Sequence, residues 1–449
     1  MSSLTPAPVN RRTFNRSLAA TAFGGLAALL GGSHPHAAQT LAPTRPVGPL
    51  VPDPAGILDL PEGWRYTVIS RMGDAMDDGH VVADKADGMG CFAIAPGKVA
   101  LVRNHELGAT EAARGPFANR PVERTFDRWQ GGRALPGGTS TLVYNLQTGQ
   151  VEAQYASLAG TIRNCAGGIT PWGTWLSCEE NVSRAGRDLS QDHGWVFEVP
   201  ATARGLVDPV PLKGLGRFNH EAAAVDPRTG IVYLTEDRED GLFYRFVPLR
   251  CGDLRLGGRL QALGLAAGLA DTRNKNGVNL ARATPLKARW IDLQGTDSAN
   301  DDLRERGHAA GAALFARGEG IHFSLDASGM GEFYFVCTSG GAAKLGQVFR
   351  YRPQDDTLDL FYESTDPDVF NFGDNLTIAP NGHLIVCEDQ YTAITDNHLR
   401  GITPAGIAYA LARCRRQTEL AGACFSPDGS TLFVNLYSPA MTLAIPWRG

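Results

Sequence analysis

The sequence lacks the features that define several common protein classes. Its eight cysteines are scattered and form no C-x-x-C pair, which argues against a zinc ribbon or a dense disulfide scaffold. There is no run of five or more Lys or Arg residues, and the formal net charge is −5 at pH 7, so nucleic acid is not an expected partner. A G-x-S-x-G motif is also missing, which weighs against acyl transfer of the Ser-His-Asp type.

What the sequence has in abundance is turn-forming residues. The 449 residues include 53 Gly and 27 Pro, and 43% of the chain is hydrophobic. This composition is globular and favours many short strands joined by turns over long helices.

The N-terminus has the pattern of an export signal. Arg11-Arg12 and Phe14 precede an apolar run from Leu18 to Gly32, and no acidic residue occurs before Asp53. The paired arginines predict a twin-arginine (Tat) signal peptide over residues 1–38, with the Tat export machinery as a partner. A run of 15 residues is too short to span a bilayer, and no later segment reaches 18 apolar residues, so we expect no stable membrane insertion. The protein is therefore expected to be bacterial, and periplasmic or secreted.

A hairpin-like unit recurs through the rest of the chain. Each copy has a polar or acidic residue, a short apolar strand, a turn with Gly, a second apolar strand and, in most copies, a final acidic residue. The turns are Pro96-Gly97, Trp172-Gly173, Thr229-Gly230, Ser328-Gly329, Asn381-Gly382 and Asp428-Gly429. Asn-Gly and Asp-Gly supply the positive φ of tight turns. Six such hairpins predict an all-β fold, a six-bladed β-propeller with irregular insertions formed by residues 39–449 as a single domain; a pair of β-sandwiches is the alternative.

The hairpin geometry predicts that the polar ends of the strands converge. Counting outward from the turns places Glu221 opposite Glu236 and Cys165 opposite Glu179. The same counting places Asp374 and Asn375 opposite Glu388 and Cys387. In a propeller these ends meet around the central channel. Carboxylates concentrated there require compensating cations, and their oxygens suit Ca²⁺, whereas sets that include a thiolate also suit iron.

Three further features bear on the chemistry. Cys165 lies beside Gly167 and Gly168 at the expected rim, where a thiolate metal ligand is the favoured interpretation and a buried thiol the alternative. Arg317, two residues before Glu319, could clamp an oxyanion such as phosphate or form an ordinary ion pair with Glu319. The segment from Asp301 to Leu314 is expected to form an amphipathic helix leading into Arg317.

Several of these motifs resemble those of a known family. The run from Asn164 to Glu180 resembles the most distinctive block of the PhoX-type secreted alkaline phosphatases. The other similar stretches are Arg103 to Glu106, Asn219 to Glu221, Tyr233 to Arg238 and Asp374 to Leu376. This resemblance implies Tat export, a six-bladed propeller, and hydrolysis of phosphate esters at a site that holds ferric iron (Fe³⁺) and calcium.

Carried over residue by residue, the resemblance implies that Cys165 binds iron and that Glu180, Glu221 and Glu319 help to hold the metals. It makes further candidates of four residues: Glu106, Glu179, Asp374 and Glu388. Arg317 corresponds to the phosphate-binding arginine and, with Glu319, to the catalytic residues. The family usually has Arg-Pro-Glu-Gly where this chain has Arg317-Gly318-Glu319-Gly320.

The functional prediction is a metal-dependent phosphatase, a monomer that hydrolyses small phosphate monoesters outside the cytoplasm. Bound cations explain how a protein of net negative charge accepts an anionic substrate. Two alternatives stay open: a calcium-dependent propeller lactonase or arylesterase, and a non-catalytic propeller that binds a ligand.

Overall fold

The computed structural model describes residues 47–118, 120–390, 392–393 and 395–449. The predicted signal peptide, residues 1–38, lies outside the described residues. The first half of the described chain contains strands β1 (Leu50–Val51), β2 (Leu58–Pro61), β3 (Thr67–Arg71), β4 (Ala86–Ala95), β5 (Lys98–His105), β6 (Gly137–Asn145), β7 (Gln150–Thr161), β8 (Asn164–Ile169), β9 (Thr174–Glu179), β10 (Val196–Pro200), β11 (His220–Val225), β12 (Val232–Glu236) and β13 (Phe243–Pro248). The second half contains strands β14 (Gly258–Leu265), β15 (Leu286–Asp292), β16 (Gly318–Leu325), β17 (Gly331–Cys337), β18 (Gln347–Arg352), β19 (Thr357–Glu363), β20 (Gly373–Ile378), β21 (Leu384–Glu388), β22 (His398–Ile402), β23 (Ala408–Cys414), β24 (Leu420–Phe425), β25 (Thr431–Leu436) and β26 (Met441–Pro446).

Helical structure is sparse in the described chain. The α-helix α1 covers Leu303–Ala309, shorter than the helix expected from Asp301 to Leu314. It ends because Gly311 has φ 101° and the chain beyond it is extended, with isolated β-bridges from Leu314 to Asp271 and from Phe315 to Gly241. Single 3₁₀ turns occur at Ala112–Arg114, Trp129–Gly131, Lys213–Leu215, Leu254–Leu256 and Ala266–Gly268.

All six predicted hairpins are present. They pair β4 with β5, β8 with β9, β11 with β12, β16 with β17, β20 with β21 and β24 with β25. The glycine of each turn has positive φ, between 69° and 82°, a conformation that costs glycine little and other residues more. The turn residues therefore located the hairpins correctly.

Further strands extend each hairpin into an antiparallel meander. The pairings give five hydrogen-bonded sheets, of which the nine-stranded one consists of two meanders joined by the short β15–β19 contact. The first strands of the meanders, β4, β8, β11, β16, β20 and β24, contact one another in a closed ring. This confirms an all-β fold of the propeller type; the count of six blades stays a prediction, which the ring of six inner strands favours.

Strands from near both ends of the described chain pair in the last meander. Strand β3, near the N-terminal end of the described chain, pairs with β26, near the C-terminus, at Thr67↔Ala444 through Arg71↔Met441. The apolar core lies between neighbouring meanders. Between the third and fourth, for example, the rings of Phe243 and Phe335 stack with centroids 4.3 Å apart. This packing leaves the strand ends at the ring axis to polar residues.

Candidate metal centre

One backbone contact is repeated at the start of every meander. The residue after the second strand donates its N–H to the carbonyl of the residue before the first strand. The donor and acceptor residues, with N···O distances, are Glu106 and Lys85 (2.9 Å), Glu180 and Arg163 (2.8 Å), Asp237 and Asn219 (3.3 Å), Thr338 and Arg317 (3.0 Å), Asp389 and Phe372 (2.9 Å), and Tyr437 and Glu419 (3.2 Å). We call the acceptors the rim residues and the donors the strand-end residues. The contact fixes which positions are equivalent from one meander to the next.

A β-bulge follows this contact in each first strand and shifts the pairing by one residue from the prediction. His220, not Glu221, pairs with Glu236; Asn164, not Cys165, pairs with Glu179. Gly373, not Asp374, pairs with Glu388. The predicted pairings were wrong because simple counting assumes an unbroken ladder, whereas a bulge inserts an unpaired residue.

In the first five meanders the residue two positions after the rim residue is the first residue that the ladder leaves unpaired; in the sixth this residue, Ala421, pairs with Asn435 and the break follows it. The residues at this position are Asp87, Cys165, Glu221, Glu319, Asp374 and Ala421. We call these the axial residues. In five of the six meanders the axial residue therefore carries a carboxylate or a thiol.

Axial and strand-end side chains, together with the rim residue Glu419, meet in four overlapping groups, each with one donor atom per residue within 4.8 Å of the others. The groups are Asp87–Glu106–Cys165, Cys165–Glu180–Glu221, Glu221–Glu319–Asp374 and Asp374–Asp389–Glu419. We refer to these nine residues as the axial cluster. It brings together six of the eight predicted metal ligands: Cys165, Glu180, Glu221, Glu319, Glu106 and Asp374.

The side chains of the cluster lie close together, and some of their oxygen atoms lack hydrogen-bond partners in the described chain. Cys165 Sγ lies 3.2 Å from Glu221 Oε1 and 3.5 Å from Asp87 Oδ2. Among the described residues, no hydrogen-bond partner reaches the other carboxylate oxygens, Asp87 Oδ1 and Glu221 Oε2, although both atoms are buried. Buried oxygens without a donor are costly unless something else binds them.

Burial and mutual repulsion raise the pKa values of several acidic side chains in the cluster. Burial, and then repulsion by Asp374 and Glu106, raises the pKa of Asp87. Burial and then the neighbouring Glu319 raise the pKa of Glu221, and burial and then Asp87 raise the pKa of Cys165. Burial, followed by the charge of Asp389, raises the pKa of Asp374 to about 7. Cations would relieve this repulsion and return the groups to their charged forms.

The donor types fit metal ions. Carboxylate oxygens alone, as in the Glu221–Glu319–Asp374 group, suit hard cations such as Ca²⁺. The thiol of Cys165 among Asp87, Glu106, Glu180 and Glu221 forms a mixed sulfur and oxygen set that suits a transition metal. Both donor sets therefore fit a metal centre.

Two arginines at rim positions contact the cluster. Nη2 of Arg163 lies 2.5 Å from Glu106 Oε1 and also bonds Glu180 Oε2. Arg317 donates to both oxygens of Asp237, from Nε at 2.7 Å and from Nη2 at 2.9 Å. Its Nη2 is also 3.1 Å from Glu319 Oε1. Arg317 therefore pairs with Glu319, as one interpretation of the sequence expected, and with a second carboxylate.

The structure keeps two of the predicted metal ligands out of the axial cluster. Glu179 accepts hydrogen bonds from the backbone N–H groups of Ile162, Gly194 and Trp195 and contacts His193 Nδ1 at 2.6 Å. Glu388 accepts from the N–H groups of Asn371 and His398 and from Arg400 Nε at 2.7 Å. Both carboxylates are fully buried. They stand at the paired position, one residue before the strand end, and bind donors in the adjoining loops and, for Glu388, in β22.

Three members of the cluster were missed by the sequence analysis: Asp87, Asp389 and Glu419. Asp87 belongs to Lys85-Ala86-Asp87-Gly88, which matches Arg317-Gly318-Glu319-Gly320 in its cation, acid and glycine. Aligning the starts of the hairpins, rather than their ends, would have found it. Glu419 is the rim residue of the sixth meander, and its carboxylate joins the group with Asp374 and Asp389. The axial residue of that meander, Ala421, has no side-chain ligand atom.

Comparisons with known proteins identify a family and solved structures to which the chain is similar. A family profile described as alkaline phosphatase PhoX matches residues 46–440. PhoX from Pseudomonas fluorescens, solved in complex with vanadate, a transition state analogue, is similar with a TM-score of 0.66 and 19% identity over 87% of this chain and 96% of that chain. A gluconolactonase from Xanthomonas campestris gives a TM-score of 0.39 and 15% identity over 90% of this chain and 98% of that chain. No curated protein sequence matches the chain.

In the part of the chain that the structure describes, no helix has the length and apolar character needed to cross a membrane.

Proposed function

The chain belongs to the alkaline phosphatase PhoX family and is a metal-dependent hydrolase of phosphate esters, and from this premise we propose that it acts on phosphate monoesters at the axial cluster. The observation that carries this assignment is the meeting of axial residues from five meanders, with buried carboxylate oxygens that lack donors. The lactonase and the non-catalytic alternatives are not favoured, because the family match covers residues 46–440.

We propose iron and calcium as the metals. Cys165, with Asp87, Glu106, Glu180 and Glu221, would hold iron, because a thiolate favours a transition metal over calcium. The all-carboxylate groups around Glu319 and Asp374 would hold calcium. When bound, these ions supply Lewis-acid activation of the phosphoryl group.

Arg317 is the residue that we propose for binding the phosphoryl group. Asp237 holds its guanidinium by two parallel hydrogen bonds, and 21% of its side chain is exposed. A guanidinium fixed in this way presents planar N–H donors to an oxyanion at little further entropic cost. The relative from Pseudomonas fluorescens binds vanadate, a transition state analogue, which supports a site for a phosphoryl-like group.

The assignment is tested by removing the metals. The purified protein is treated with chelators, its iron and calcium are counted by elemental analysis, and hydrolysis of a chromogenic phosphate monoester is measured before and after metals are restored. We expect activity to disappear with the metals and to return with them. Full activity in protein shown to be free of metal would overturn the proposal.

A thiolate variant separates the metal types. Cys165→Ser keeps the approximate size of the side chain but replaces the soft sulfur ligand with an oxygen. The affinity for iron should therefore fall more than the affinity for calcium, and iron should be lost first. Cys178→Ser is the matched control, because Cys178 is a buried cysteine outside the axial cluster. Unchanged iron in Cys165→Ser would refute the thiolate assignment alone.

We also propose export through the Tat route. The argument is the sequence of residues 1–38, in which Arg11-Arg12 precedes the apolar run. Replacing both arginines by lysine should retain the protein in the cytoplasm of a bacterial host, as measured by cell fractionation. Continued export of that variant would exclude this route.

A further inference from the structure

The repeated backbone contact shows that Arg163 and Arg317 occupy the same position in two different meanders. Each accepts a hydrogen bond from its strand-end residue and lies two residues before an axial residue, Cys165 or Glu319. Each has positive φ, 46° for Arg163 and 54° for Arg317, which is uncommon outside glycine. Each also bonds a carboxylate of the axial cluster. The two arginines are thus internal counterparts.

The two guanidinium groups bond carboxylates of two neighbouring groups of the cluster, and these two groups share Glu221. Arg163 bonds Glu180, which shares a group with Glu221; Arg317 bonds Glu319, which shares another group with Glu221. Glu221 therefore lies between the carboxylates that the two arginines hold. An anion bound over Glu221, once cations neutralise the carboxylates, would have a guanidinium on each side.

Arg163 retains donors for such an anion. Its Nε donates to the Glu180 carbonyl at 3.2 Å, and its Nη2 bonds the Glu106 and Glu180 carboxylates. Within the described ranges no hydrogen bond reaches Nη1, and 38% of the side chain is exposed, more than the 21% of Arg317. Guanidinium groups with a free donor edge are effective ligands of phosphate oxygens.

We infer that Arg163 is a second substrate-binding arginine, which contacts the phosphoryl oxygens from the side opposite Arg317. This inference rests on the proposed phosphatase function and adds a residue to it. An alternative role would be purely structural, in which Arg163 only balances the charges of Glu106 and Glu180. The two roles differ in what they predict for the binding of free phosphate.

The test compares Arg163→Gln with Arg317→Gln in metal-loaded protein. The measurements are metal content, kcat and KM for a chromogenic phosphate monoester, and the inhibition constant of inorganic phosphate. We expect Arg163→Gln to keep its metals and to raise KM and the phosphate inhibition constant by about 10-fold to 100-fold, the range for losing a charged hydrogen bond. Arg163→Lys keeps the positive charge but loses the planar guanidinium with its paired N–H donors. Its KM and phosphate inhibition constant should lie between those of wild type and Arg163→Gln.

Arg184→Gln serves as the matched control, because the one ion pair that Arg184 forms among the described residues is with Asp192, outside the axial cluster, and its side chain is 48% exposed. It should bind phosphate like wild type. The inference is overturned if Arg163→Gln retains its metals and its wild-type inhibition constant. It is also overturned if Arg163→Gln and Arg163→Lys both lose metal, because that marks a structural role. If wild type itself neither hydrolyses the ester nor binds phosphate, the proposed function fails instead, so the two failures are distinguishable.

Discussion

Glu179 and Glu180 are neighbours with the same side chain, yet the fold gives them different tasks. Glu179 lies at the paired position and has three backbone donors and a histidine around its carboxylate. Glu180 lies at the strand end, bonds Arg163 and Asn219, and joins Cys165 and Glu221 in the axial cluster. One residue along a strand reverses the side to which a side chain points, so one carboxylate binds backbone donors and the other joins the axial cluster.

The same division occurs in two other meanders. Glu236 is buried at a paired position and accepts from the N–H of Leu242 and the hydroxyl of Tyr244, whereas Asp237 holds Arg317. Glu388 is buried among donors, whereas Asp389 joins the axial cluster. In these acidic pairs, therefore, the first residue accepts hydrogen bonds from surrounding structure, and the second contacts Arg317 or joins the axial cluster.

The largest expected effect comes from Glu221→Gln. Glu221 belongs to two groups of the axial cluster, and a neutral amide binds cations far more weakly than a carboxylate. Activity toward a chromogenic phosphate monoester should fall by about 100-fold or more, with loss of metal by elemental analysis. Glu236→Gln, in the same meander but at the paired position, should keep its metals. Equal metal loss in both variants would contradict the division between paired and axial positions.

A second substitution tests the structural member of a pair. Glu179→Gln would turn an amide N–H₂ toward backbone donors and leave His193 with one carboxylate instead of two. Breaking a buried ion pair costs about 3–5 kcal/mol, which chemical unfolding of the metal-free protein should measure. Glu180→Gln should cost less, because burial and then repulsion by Glu106 raise the pKa of Glu180 against the opposing effect of Arg163, and Arg163, 38% exposed, keeps Glu106 as a partner. A larger loss for Glu180→Gln would reverse the comparison.

The pH dependence of stability follows from His193, which is fully buried between Glu179 and Asp127. Burial lowers its pKa, but the neighbouring Glu179 and Asp127 outweigh burial and raise the pKa to about 9. Because the pKa is higher in the folded state than the unfolded value of about 6.5, this stabilisation is complete below pH 6.5 and is lost as the pH rises through 9. Unfolding free energies should fall by up to about 3 kcal/mol over that range. His193→Gln should remove this slope, and an identical slope in wild type and variant would exclude His193 as its source.

The sequence was sufficient to predict an all-β fold of the propeller type because the turn chemistry is local. The glycines of Asn381-Gly382 and Asp428-Gly429, for example, have the positive φ that their motifs predict. The site was only partly predictable. Counting from a turn locates a strand end to within one residue, because an even count along the strand does not reveal the bulges that follow Lys85 or Arg163. For that reason the sequence analysis chose Glu388 where the structure brings Asp389 to the cluster.

The smallest effects are expected at the glycines on either side of Glu319. A Cβ on Gly320 would lie 2.6 Å from the backbone N of Leu376 and 2.8 Å from Asp374 O, so Gly320→Ala must push β16 away from β20 and should cost about 1–3 kcal/mol. It should also weaken metal binding, because Glu319 and Asp374 share a group.

Gly318→Ala is the matched change. Its Cβ would come no closer than 3.4 Å to Glu236 O and Thr235, an ordinary van der Waals contact. Stability should therefore change by less than about 0.5 kcal/mol, as for substitutions away from tight packing, and phosphatase activity should persist. The loss of activity in Gly318→Ala with unchanged stability would show that Arg317, one residue earlier, depends on the backbone freedom of Gly318. That outcome would extend the division between structural and site positions from side chains to the backbone that carries the rim residues.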